Sequence, residues 1–201
     1  MAKVGIILIS DFHYGIVRNH YSLTEMVRSD IIKSNSDDEY YFRHIVAKNI
    51  SNMCRIYPHK LEDIRLFCNS NDMNVFVIGL GLSNYKSGYD YEMFRNHIKG
   101  LVLEIKSLDG NCCVSLLNAE IDNKLKGNFL KNYTKISKVI NSLGEELRCN
   151  VLKFRVKILF LNNGDYVIST NTITNMIKSI SKYARFNKKA FFDENTDWDK
   201  L

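Results

Sequence analysis

Val4-Gly5-Ile6-Ile7-Leu8-Ile9-Ser10 decides how this chain is read. The run is apolar up to a terminal serine and carries no alternation of polar residues. That is the pattern of a central strand covered on both faces, as in a parallel sheet. A second run of the same kind, Val75-Phe76-Val77-Ile78-Gly79-Leu80, leaves through a glycine-containing stretch, Gly81-Leu82-Ser83. Two buried strands opening into loops at their carboxyl ends mark the usual place of a site in an open α/β sheet. Those loops hold few of the charged groups that phosphate chemistry requires.

Between and after these strands the spacing is helical. Leu23, Met26, Val27 and Ile31 form a stripe behind Ser22, an expected N-cap with Glu25 three residues on. Asn35-Ser36-Asp37-Asp38 breaks that helix. Tyr40–Ile56 fits no single period and is expected to hold a strand and an irregular or short helical piece. Pro58 is expected to open a helix carrying Leu61, Ile64, Leu66 and Phe67, which ends at Asn69-Ser70-Asn71-Asp72. A longer helix, about Tyr89–Ser107, places Phe94, Ile98, Leu101, Val102 and Ile105 on one face. Cys112–Leu117 reads as a short strand after the turn Asp109-Gly110-Asn111, and Asn118–Gly127 as a polar loop. From Phe129 through Tyr133, Ile136, Val139, Ile140, Leu143, Leu147, Val151 and Phe154 the apolar spacing predicts one helix running to about Lys157. A short strand and a helix over Ile173–Tyr183 follow. Alternating strand and helix imply a three-layer α/β sandwich with a mostly parallel central sheet and right-handed crossovers. The expected division is an α/β domain over residues 1–157, including the long helix, and a small basic segment over 158–201 with an acidic tail.

Composition bounds the function classes. The 201 residues are 45 % hydrophobic, enough for one substantial core. No run of about eighteen apolar residues is present, so no membrane association is expected. With no secretory signal pattern at the amino terminus, an intracellular protein that is not secreted is expected. Cys54, Cys68, Cys112, Cys113 and Cys149 are odd in number and lack CxxC spacing, which favours reduced, buried thiols over metal ligands or disulfides. The net charge of +6 and pI near 9.0 favour an acidic partner, nucleic acid first. Lys178, Lys182, Arg185, Lys188 and Lys189 cluster near one helix and are the candidate phosphate contacts; a solvated charged face reads them equally well. Asn, Ile, Lys, Tyr and Phe are abundant and there is one proline, a bias toward AT-rich codons that suggests an AT-rich genome such as that of a large DNA virus. For a viral protein the expected location is the host nucleus or cytoplasm.

Three chemistries can be written on these motifs. Asp11-Phe12-His13-Tyr14-Gly15 has the D-x-H-x-G form that opens a calcineurin-like metallophosphoesterase, in which strand-end Asp and His hold a divalent metal. Asp11 and His13 are therefore alternative metal ligands. No GDxxD or GNH[DE] follows to complete a two-metal centre, and Arg95-Asn96-His97 falls within a helix. A strand-end Ser10 with a remote histidine is also the raw material of an esterase, including the GDS-type lipases. Against it stand the absence of a Gly-x-Ser-x-Gly elbow, of the GDS order and of a late Asp-x-x-His. Gly79-x-Gly81 lacks the third glycine of a dinucleotide site and the Lys-Ser/Thr of a P-loop.

Taken in order, the elements resemble the catalytic domain of the serine recombinases, the resolvases and invertases. Ile6-Ile7-Leu8-Ile9-Ser10 fills the place of that family's Tyr-x-Arg-x-Ser strand. Gly79–Ser87 fills the place of its Leu-Asp-Arg-Leu-Gly-Arg-Ser segment. Asn118-Ala119-Glu120-Ile121-Asp122 with Gly127 resembles its Glu-x-Ile-Asp loop, and Ser137–Lys157, with Glu145 and Arg148, its long dimerisation helix. The match spans about residues 3–157. The resemblance implies a resolvase-like fold and a homodimer with Leu143 and Leu147 at the contact. It also implies a vestigial nucleophile position at Ser10, because the arginines that would neutralise the phosphate are replaced at Leu8 and Leu82. On that reading the chain is a pseudoenzyme similar to the poxvirus recombinase-like proteins. It would act as a dimeric interaction or nucleic-acid-associated module, with no cofactor and no small-molecule substrate. The alternative is the metal-dependent phosphoesterase built on Asp11 and His13.

Overall fold

The computed structural model describes residues 2–10, 23–33, 38–47, 50–80, 90–108, 111–121, 128–156, 158–160, 166–168 and 178–184. The two apolar runs form β1 (Lys3–Ser10) and β3 (Met73–Gly79), buried along almost their whole length. The helix behind Ser22 is α1 (Leu23–Ile32), with Val27 and Ile31 fully buried. The ambiguous segment resolves into a strand, β2 (Glu39–Val46), and the beginning of a helix, α2 (Ile50–Asn69).

Pro58 therefore does not open α2; it lies inside it. Its ring is exposed, so the helix accommodates the missing N–H on its solvent side, where water can take the freed carbonyl. Met53 and Tyr57 on the preceding turn are buried, and that packing extends the helix back to Ile50.

α3 (Tyr91–Lys106) starts where the Asp90 side chain accepts from the backbone N–H of Glu92 at 3.0 Å and of Met93 at 3.1 Å. All five of its expected inward residues, Phe94, Ile98, Leu101, Val102 and Ile105, are buried. β4 (Cys112–Ile121) runs four residues past its expected end, so Asn118 belongs to a strand and not to a loop.

The predicted long helix is two elements, α4 (Asn128–Glu146) and β5 (Asn150–Val156). The break is a Schellman-type cap. Cys149 N–H donates to the Gly144 carbonyl at 2.9 Å, Arg148 N–H donates to that of Glu145 at 3.3 Å, and Arg148 sits at φ 49°. That left-handed position usually holds glycine. Here it holds arginine, which is why the helix end carries no sequence mark. Val151 and Phe154, which continue the helical spacing, lie in β5.

The sheet is five-stranded, all parallel, in the order β2-β1-β3-β4-β5. A separate antiparallel pair, β6 (Ile158–Phe160) and β7 (Tyr166–Ile168), follows. α2, α3 and most of the buried face of α4 pack on one side of the sheet with Ile7, Ile9, Phe76 and Ile78. α1 and a helical segment over 178–184 pack on the other with Val4, Ile6, Leu8, Val75 and Val77. Ile180, Tyr183 and Ala184 are buried there, in the same core as β1. The sandwich is as expected. Among the described residues no helix is long and apolar enough to cross a membrane.

Leu143 and Leu147 are buried against their own sheet, together with Ile136 and Ile140. They are core residues of this chain, and the burial accounts for the apolar stripe at these two positions.

Candidate active site

The strand order reverses direction at β1: β2 lies on one side of it and β3 on the other. In open parallel sheets the carboxyl ends of the strands at such a switch point border a crevice. Here those ends are Ser10 and Gly79, which are register partners, while Ser10 pairs with Val46 on the other side.

Parallel pairing puts register partners on the same face of the sheet. Leu8 is opposite His44, so Leu8, Ser10 and His44 project to the face covered by α1. The imidazole reaches along that face to the serine: Ser10 Oγ lies 2.9 Å from His44 Nε2. The contact joins residues 34 apart in sequence. Gly79, the register partner of Ser10, contributes no side chain there.

Ser10 is buried. His44 is half-buried, and desolvation holds its pKa below the ordinary histidine value. Among the described residues, burial is the one cause of that shift. The shift favours the neutral ring, whose unprotonated Nε2 can accept the serine proton. Backbone pairing fixes both partners: the Ser10 carbonyl accepts from Ala47 N–H at 2.9 Å, pinning the top of β2 against β1. A strand-end hydroxyl held against a neutral imidazole is the nucleophile–base arrangement of acyl transfer.

Residues expected to carry function are distributed unevenly. Ser10 is not an isolated alcohol. Leu8 is an ordinary core residue, fully enclosed on the α1 side. Lys178 and Lys182 are exposed on the 178–184 helix. Asp11, His13, Leu82, Arg185, Lys188 and Lys189 lie outside the described residues, as do Ser22 and Gly127. Among the described residues no group of three His, Cys, Asp or Glu is placed to hold a metal ion. The five cysteines are free thiols, none of them disulfide-bonded. His44 was missed by sequence reasoning. Its signal was the alternation Tyr40, Phe42, His44 within one strand, which names a face but not the strand that the face adjoins.

The sequence matches no family model and no curated protein. Solved structures do share the fold. The lipase/acylhydrolase from Enterococcus faecalis superposes with a TM-score of 0.63 at 13 % identity, over 93 % of this chain and 97 % of that one. A GDSL-like lipase from Parabacteroides merdae gives 0.63 at 14 % identity, over 90 % and 95 % of the two chains. The esterase EstA from a Pseudoalteromonas species, solved with monoethylphosphonate as inhibitor, gives 0.56 at 12 % identity over 75 % and 76 %. The fold is thus that of the GDSL-type lipases and esterases.

The serine-recombinase resemblance is corrected by this likeness, and the resolvase label, the poxvirus comparison and the pseudoenzyme reading go with it. Its strongest apparent feature, a long dimerisation helix over Ser137–Lys157, is a helix and a strand. The non-catalytic reading of the chain, as a dimeric or nucleic-acid-associated module, rested on that resemblance and on an unactivated Ser10. Both supports are gone. The phosphoesterase alternative on Asp11 and His13 is likewise without support from the fold, whose solved relatives are lipases and esterases.

Proposed function

We propose that this chain is a serine-dependent ester hydrolase in which Ser10 is the nucleophile and His44 the general base. The observation that carries the reading is the 2.9 Å contact between Ser10 Oγ and His44 Nε2 at the carboxyl edge of the sheet, in a fold shared with lipases and esterases. The Ser10 proton passes to His44 Nε2 as Oγ adds to the acyl carbonyl of the ester. The imidazolium then protonates the leaving alkoxide as the tetrahedral centre collapses to an acyl-serine. Water, deprotonated by the same imidazole, releases the acid and restores the hydroxyl.

The test is hydrolysis of p-nitrophenyl acetate together with covalent labelling by a fluorophosphonate probe. Wild-type protein is expected to turn over the ester and to take up one label per chain on Ser10. Ser10→Ala should abolish the label. Labelling of Ser10→Ala at the wild-type level overturns the assignment, and so does an unreactive wild-type protein.

A further inference from the structure

The amino end of the sheet holds a pair of thiols that the ester chemistry does not use. Cys112 opens β4 and is the register partner of Asn74 on β3. Parallel register partners share a face. Asn74 shows which face, because its Nδ2 donates to the Cys68 carbonyl, 3.0 Å away near the end of α2. Cys112 therefore points toward the same helix end, and both cysteines belong to one core cluster. Their thiols are hydrogen-bonded to each other. The chain around them is pinned: Asn74 N–H donates to the Asn111 carbonyl at 2.8 Å, and Asn111 Nδ2 to the Asp72 carbonyl at 3.0 Å. Asn74 precedes Gly79, the partner of Ser10, by about 16 Å at the usual strand rise.

The two thiols are unlike. Cys68 is buried, whereas Cys112 is partly exposed. The hydrogen bond between them, and then burial, push the Cys68 thiol up, and the same bond holds Cys112 below the ordinary thiol value. Burial pushes Cys54, Cys113 and Cys149 up. Cys113, next in sequence, packs on the opposite side of the sheet. An accessible sulfur that favours the thiolate, set beside a buried thiol, is the arrangement of an attacking and a resolving cysteine.

We propose that Cys68 and Cys112 form a peroxide-reactive dithiol that closes reversibly to a disulfide joining α2 to β4. The Cys112 thiolate attacks one oxygen of hydrogen peroxide, and the O–O bond breaks. Sulfur is left as a sulfenic acid, and the departing hydroxide takes up a proton to become water. The Cys68 sulfur then displaces the sulfenic oxygen, which leaves as a second water carrying the Cys68 proton. The two thiols lose two electrons and the peroxide gains them. A small oxidant suits a site entered at one partly exposed sulfur. Ser10 and His44 take no part. The bond closes a loop that contains β3 and α3, so it restricts the unfolded chain and raises the stability of the fold.

The experiment uses the full chain, reduced, freed of reductant, exposed to hydrogen peroxide under native conditions and then alkylated. Peptide mapping by mass spectrometry should show a Cys68–Cys112 cross-link, with Cys54, Cys113 and Cys149 alkylated as in the untreated protein. Dithiothreitol should restore all five thiols. The oxidised chain should melt about 5–15 °C higher than the reduced one. In Cys68→Ala the sulfenic acid has no thiol to meet, so dimedone should mark Cys112. The wild-type map and melting curve stand without that variant, whatever its folding. Four results overturn the proposal. They are five unchanged thiols after peroxide, a cross-link to another cysteine or another chain, a cross-link that forms only in urea, or a melting temperature that does not rise.

Discussion

His44 makes the Ser10 hydroxyl chemically interesting, because an alcohol alone is almost entirely protonated at neutral pH. His44→Gln keeps a polar group near Nε2 but cannot take up the proton, so ester turnover should fall by roughly 10²–10⁴-fold, the usual worth of a general base. Because burial lowers the pKa of His44, the wild-type rate should rise with pH through a midpoint below the ordinary value of about 6.5. A midpoint above that value would remove His44 as the base. The same shift has a sign for stability. The unfolded chain binds the proton more readily than the folded one, so this contribution is complete above the unfolded value and is lost as pH falls from there through the folded value. Urea midpoints between pH 7 and 5 should therefore fall less steeply in His44→Gln than in the wild type. Gly5 is a different kind of constraint. A Cβ there would meet Asn71 Nδ2 at 2.6 Å and Phe67 Cε1 at 2.9 Å, and would also strike the Asn74 side chain, which donates to the Cys68 carbonyl at 3.0 Å. Gly5→Ala should cost about 1–3 kcal/mol in chemical denaturation, as overpacking does.

Among the elements, the junction of α4 with β5 is the clearest case of a boundary set without its usual residue. A non-glycine residue in the left-handed region costs roughly 1–2 kcal/mol, and Arg148 is held there by the two capping hydrogen bonds. Arg148→Gly relieves that strain and also adds freedom to the unfolded chain. The net outcome should be a gain of about 0.5–1 kcal/mol, read as a higher denaturation midpoint. A loss would mean that the Arg148 side chain makes a contribution larger than the backbone strain. The neighbouring helix surface is tied across to α3 by Glu146, which pairs with both Arg95 and Lys99, the latter at 2.6 Å. Those pairs lower the pKa of the Glu146 carboxyl. They are surface interactions and fix the angle of two helices more than they hold the fold.

Across the whole molecule, the packing of α4 decides between a core stripe and an interface. Leu143 is fully buried, in the cluster that also holds Ile98, Leu101 and Ile140. Leu143→Ala should therefore destabilise the chain by about 2–5 kcal/mol with no dependence on protein concentration. If the leucine were instead a subunit contact, the melting temperature would vary with concentration, which differential scanning calorimetry at two concentrations would reveal.

The elements themselves were legible in the residues. β1 and β3 were visible as unbroken apolar runs, α3 as a five-residue buried stripe, and the three-layer sandwich followed from their alternation. Those features are local: the period of burial along a segment states its geometry and which side is covered. Three things were not local. The sequence does not say that β2 lies beside β1, and only that register carries His44 to within 2.9 Å of Ser10. It does not say that the α4 stripe meets its own sheet, since an apolar face reads the same whether a strand or another subunit covers it. It does not mark Arg148 as a helix end, because the αL geometry there is imposed by the return of the chain into β5 beside β4. Strand edges, neighbours and caps are decided when separate segments compete for the same partners. That competition exists only in the assembled fold.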